Sequence, residues 1–161
     1  ILATKADPSA GLTSAGPDGT GGANDGSGSA AGGSSGLDKA KAASFLISHY
    51  GGNNSSGHGC LAAIQLALQA SGGGSLLCPG QGVHHWAGTC GPLLTGKGYS
   101  SLGGSDQSPQ VGDIIVVPGN KYSAIGHIAM YTPSGWISDF AQGVNGNPYP
   151  SPKPPAQYYR P

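Results

Sequence analysis

The stretch GHIAMYTPSGWISDF, residues 126–140, sets one alternating apolar run against a second across a Pro-Ser-Gly turn, the pattern of two antiparallel strands. With Pro133-Ser134-Gly135 as a three-residue loop and Gly135 left-handed, Thr132 faces Trp136 and Ala129 faces Asp139. Successive side chains point to opposite faces of a strand. This register therefore puts His127, Ala129, Asp139 and Ala141 on one side of the hairpin. A slip of one residue would move Asp139 to the other side.

Outward from this hairpin, GDIIVVP (112–118) is a short β-branched run between turn residues. NPYPSPKPPAQYYRP (147–161) is proline-rich ahead of a last strand around Gln157 to Arg160. Upstream the period changes to that of helices. LDKAKAASFLISHYGG (37–52) has inward positions at Leu37, Ala40, Phe45, Leu46 and His49 and closes on a glycine cap. SSGHGCLAAIQLALQA (55–70) becomes a helix near Cys60 that is apolar nearly all round, hence expected to be buried, and Gly72 to Gly74 stop it. Gly91-Pro92-Leu93-Leu94 opens a short helix, proline being at home in a first turn. Helices precede the sheet, which argues for an α+β domain.

Glycine (31 of 161 residues) is concentrated in residues 8–36, where too few apolar side chains occur to offset the entropy of ordering. Residues 1–36 therefore read as a flexible Gly/Ser-rich tether and 37–161 as the folded domain. A chain opening on Ile1 with a tether is expected to be part of something longer, with a partner module upstream. Seven basic residues balance seven acidic ones, all aspartate, and Arg160 is the only arginine. Without a basic cluster to displace counterions, nucleic acid is an unsuitable partner. No apolar run approaches the roughly 20 residues that span a bilayer, and ILATKADPSA lacks the features of a signal peptide.

Of three cysteines, Cys78 and Cys90 bracket a loop that a disulfide would close with a stabilisation of about 3 kcal/mol. Two free thiols, or a zinc site completed by His84 or His85, are the alternatives, the latter short of a fourth ligand. Cys60 stands apart. A thiol at a helix N-terminus is favoured as thiolate, so Cys60 suits a nucleophile. His127 is then the base, Asp139 orients its imidazole, and the first amides of the Cys60 helix form part of an oxyanion hole. Each residue also has a bland reading: a buried small hydrophobe for Cys60, a strand histidine for His127, a turn contact for Asp139. Asp113, ahead of its strand, reads as a turn residue, and Trp86 as core before platform. His58 is tied too closely to Cys60 along the chain to place its ring freely, and His84 and His85, next to Trp86, read as a substrate wall or as a partly exposed loop.

The order SSGHGCLAAIQLALQASGG, GDIIVV, GHIAMY, WISDFAQ and YYRP resembles the papain-like cell-wall hydrolases of NlpC and CHAP type, and among them the amidase effectors of type VI secretion systems and phage-type lysins. The resemblance spans residues 37–161. It implies a papain-like α+β fold and a cofactor-free, metal-free cysteine hydrolase that cuts an amide in the peptidoglycan stem peptide or crosslink. Cys60, His127 and Asp139 form its triad, and Gln142, His58 and Trp86 are lesser substrate-binding candidates. It further implies secretion into the periplasm or cell wall of a target bacterium, attachment through the tether to a secretion spike or lysin, a Cys78–Cys90 disulfide suited to that compartment, and a cognate immunity protein. A non-catalytic wall-binding or spike-tip module of the same fold is the rival. A glycosidase, needing paired carboxylates in a chain without glutamate, is weaker.

Overall fold

The computed structural model describes residues 36–52, 59–81 and 85–161. The tether lies outside these residues except for Gly36, as do His58 and His84. Asp38 begins the first helix, α1 (Lys39–Tyr50), its carboxylate accepting the Lys41 N–H at 2.9 Å. The buried stripe is Ala42, Ala43, Leu46 and Tyr50. Ala40 and His49, expected inside, are exposed. Three alanines within four residues carry little information about phase, and His49 instead stacks on Phe45 at 4.1 Å. The second helix, α2 (Cys60–Ala70), buries Ala63, Ile64, Ala67 and Leu68 but leaves Leu66 43 % exposed, so it is covered on one side and not all round. A 3₁₀ turn at Ala87–Thr89 leads into α3 (Gly91–Gly96), which carries proline in its first turn. The Cys78 and Cys90 sulfurs are bonded to each other, and both residues are fully buried.

Five strands follow: β1 (Ser100–Gly103), β2 (Ile114–Val117), β3 (His127–Thr132), β4 (Gly135–Ile137) and β5 (Gln157–Arg160). They form one antiparallel sheet in the order β1-β5-β2-β3-β4, so the last strand in sequence lies inside the sheet. β1 has no sequence signal, because SSLG lacks the β-branched and aromatic residues that fit a pleated surface. All four residues of β2 are buried because both faces of the sheet are covered. Ile114 and Val116 join Ile128, Met130 and Ile137 in the core beneath the helices, while Ile115 and Val117 join Ala129, Trp136 and Tyr158 on the opposite side. Each fully buried large side chain contributes roughly 1.5–3 kcal/mol.

The hairpin register differs by one residue from the sequence expectation. Thr132 pairs with Gly135, Tyr131 with Trp136 and Met130 with Ile137. Gly135 does have positive φ (98°), yet it belongs to the ladder and not to the loop. Thr132 holds it there, its hydroxyl donating to the Gly135 carbonyl at 2.7 Å and accepting the Ser134 N–H. Asp139 therefore does not oppose Ala129. β4 ends at Ile137, and a bridge from Ile137 to Ala141 turns the chain back on itself, leaving Asp139 in the bend between them.

Arg160, on β5, donates through Nε and Nη2 to the two oxygens of fully buried Asp113, at 2.9 and 2.6 Å. Asp113 also accepts the Gln110 N–H at 2.7 Å, so its turn contact and its ion pair coexist. Asp106 shares the same guanidinium at 3.5 Å. One Asp106 oxygen is buried without a partner among the described residues. Burial, and then the hydrogen bond and charge of Asp113, push its carboxyl above the ordinary aspartate range. A carboxyl raised in the folded state adds most to stability at low pH, and that contribution falls as pH rises through its folded value. Asp106→Asn is expected to stabilise the protein at pH 7 and to leave it unchanged near pH 3, read from urea denaturation at both pH values.

Candidate functional site

Two glycines set the positions of the two main site candidates. Gly59, with φ 79° and ψ 148°, turns the chain into α2 so that Cys60 is its first residue. Gly126, with φ 73°, precedes His127, and a side chain there would collide with the Val117 carbonyl and the Gly88 backbone. The N-cap is Gly59, which has no side chain to cap the first amides of α2. The backbone N–H groups of Ile128, Leu61 and Cys60 itself favour a thiolate at Cys60. Burial outweighs them, and with the charge of Asp139 it lifts the thiol above its ordinary range. The sequence expectation that the helix start lowers this thiol is corrected: the amides are present, but desolvation is larger. Cys60 is the free cysteine among the described residues.

His127 is 5 % exposed. Burial lowers its imidazole, while a hydrogen bond to Gln142 and the charge of Asp139 pull the other way. Burial thus disfavours the charged form of both groups, the thiolate as well as the imidazolium. Gln142 is the side chain found on the imidazole, its amide 2.6 Å from Nε2. The turn-back after β4 brings it there, with the Gln142 N–H on the Trp136 carbonyl. The same amide lies 2.5 Å from Ser138 Oγ, which lies 3.1 Å from Asp139 Oδ1. Aromatic rings enclose His127, with Phe140 at 6.5 Å and Tyr149 edge-on at 6.3 Å.

A cleft of about 270 Å³ opens beside Cys60. Leu61, Ala62, Ala87 and Ile125 form much of its lining, together with Gln65 and His85. His85 Nδ1 donates to the Cys78 carbonyl at 2.7 Å. Trp86, between two cleft-lining residues, is half-buried and is not part of the wall. His58 lies outside the described residues. Among those described, no cluster of His, Cys, Asp or Glu could hold a metal ion.

Cys60 and the segment beginning at His127 thus meet through the Ile128 amide, with Asp139 close enough for its charge to act on both. Gln142, expected from the sequence as a lesser substrate-binding candidate, lies on the His127 imidazole. Ser138 and Gln65 carried no chemical signal of their own, whereas His85, weighed in the sequence as a zinc ligand or a substrate wall, lines the Cys60 cleft.

No model of a known protein family matches the sequence, and no curated protein matches it. Two solved structures do: the native and selenomethionine crystal structures of the type VI effector–immunity complex Tae3-Tai3 from Ralstonia pickettii. The native structure matches at 31 % identity and a TM-score of 0.58, over 76 % of this chain and 97 % of that one. The selenomethionine structure matches with the same identity and TM-score, over 74 % and 98 %.

A raised thiol reacts slowly at neutral pH, because the thiolate is the nucleophile. Alkylation of Cys60 by iodoacetamide is expected to be slower at pH 7 than that of free cysteine and to keep rising beyond pH 9. A plateau already reached at pH 7 would contradict the raised thiol.

Proposed function

Because this chain belongs to the family of the type VI effector Tae3, we propose that it is a secreted antibacterial effector that hydrolyses an amide bond in the peptidoglycan of a target cell. The observation that carries this reading is the placement of Cys60. Its thiol stands at a helix start, opens on a cleft, and touches the amide that follows His127. The fold is read as papain-like: a helix bearing the nucleophile packed across an antiparallel sheet bearing the base.

In the mechanism, the neutral His127 takes the Cys60 proton as sulfur attacks the substrate carbonyl. The backbone amides at the start of α2 stabilise the oxyanion. The C–N bond then breaks, His127 returns the proton to the leaving amine, and a thioester remains. Water, deprotonated by His127, attacks the thioester and releases a carboxylic acid and the free thiol. Gln142 occupies Nε2, so the nitrogen that accepts the proton is Nδ1. This has the Gln142 oxygen accept from both Nε2–H and the Ser138 hydroxyl, whose single proton then goes to Gln142 and not to Asp139. Asp139 supports the developing imidazolium through its charge, which favours protonated His127. Action in the periplasm and inhibition by an immunity protein seated on the Cys60 cleft complete the reading.

The raised thiol also favours a second reading, a wall-binding module that keeps the fold without the chemistry. Digestion of purified peptidoglycan by the wild type and by Cys60→Ala separates the two. Stem-peptide fragments identified by mass spectrometry from the wild type alone are expected. Equal release from both proteins, or none from either, would sink the hydrolase. Gln142→Leu, which removes the partner of Nε2, is expected to lower kcat by about 10–100-fold with KM little changed. Unchanged kcat would remove Gln142 from the machinery.

A further inference from the structure

The wall of the Cys60 cleft is chemically uneven. Among the described residues most of its side chains are apolar, with Gln65 and His85 contributing polar groups. Sites of this composition orient a ligand through a few placed polar atoms. Gln65 rides on the nucleophile's own helix. His85 comes from a separate segment, and its ring cannot turn freely because Nδ1 is bonded to the Cys78 carbonyl. A carbonyl only accepts, so Nδ1 carries the proton, and in the neutral ring Nε2 keeps a lone pair.

The carbonyl itself is anchored. Cys78 is fully buried and disulfide-bonded to Cys90. Thr89 Oγ1 and the Trp86 N–H both donate to the neighbouring Pro79 carbonyl. The chain on either side of His85 is therefore tied to one short segment. His85 itself is exposed, and an exposed ring contributes little to the core. What the anchoring fixes is the position of a hydrogen-bond acceptor on the wall of the nucleophile's cleft.

We infer that His85 is a specificity residue whose Nε2 accepts a hydrogen bond from a peptide N–H of the substrate next to the amide that Cys60 attacks. The Gln65 amide, on the same cleft, can pair with a peptide carbonyl, so the two polar side chains match the donor and acceptor of a peptide unit. An acidic group would find no donor in Nε2 of the neutral ring. The disulfide acts on this contact indirectly, by holding the carbonyl that holds the ring. The inference rests on the hydrolase reading above and narrows its substrate to one presenting a peptide unit at this position.

The test uses the full chain carrying Cys60→Ala and a soluble stem-peptide fragment of peptidoglycan, with binding measured by calorimetry and thermal stability followed in parallel. His85→Asn can keep the bond to Cys78 but has no atom at the position of Nε2. It is expected to weaken binding about tenfold without a change in Tm. His85→Gln loses the Cys78 bond but offers an amide oxygen near that position, and should weaken binding less. Unchanged binding by His85→Asn overturns the inference. So does the reverse order, with Gln worse than Asn, because it assigns His85 a purely structural role. Absence of binding by the Cys60→Ala parent overturns the inference together with the reading beneath it. Digestion by the wild type tests that reading separately, so the two failures are distinguishable.

Discussion

The packing of α2 across β3 is the contact on which the rest of the molecule depends. Ile64 and Leu68 from the helix share one buried cluster with Ile128 and Met130 from the strand, all without exposed surface. The same packing seats the helix start against the Ile128 amide, so the hydrophobic core and the candidate site are one construction. Burial explains both the stability of this arrangement and its electrostatic state. Desolvation that strengthens the core also raises the Cys60 thiol and lowers the His127 imidazole.

Burial that disfavours both charged forms bears on the proposed mechanism. There the proton passes from thiol to imidazole during attack, so the orientation of the imidazole is decisive. The surroundings of His127 answer that need. Phe140 and Tyr149 restrict the ring from its faces and edge, Gln142 holds Nε2, and a chain through Ser138 connects Gln142 to Asp139. A one-residue change of hairpin register and the turn-back after Ile137 produce this enclosure.

The second polar cluster, where Arg160 meets Asp113 and Asp106, shows the same economy of charge used for architecture. The only arginine of the chain ties β5, which entered from the far end of the sequence, to the turn that precedes β2. An extra buried carboxyl on that guanidinium leaves Asp106 raised, so this junction is not optimised for stability alone.

The sequence by itself determined the order of elements, helices before sheet, and the position of Cys60 at a helix start. It also marked His127 as the start of a strand and Gln157 to Arg160 as another. These follow from local physics: apolar period, glycine and proline punctuation, and β-branched runs. What it left open were features whose cause lies elsewhere in the chain. β1 exists because β5 offers it a partner, not because SSLG favours a strand. The hairpin register turned on whether Gly135 entered the ladder, which the Thr132 hydroxyl decided. The net state of Cys60 depended on how much protein covers it, and local sequence reports the helix amides but not the burial. Gln142 on His127 and His85 beside Cys60 arise only when distant segments meet, because a hydrogen bond between residues far apart in sequence leaves no periodic trace in either.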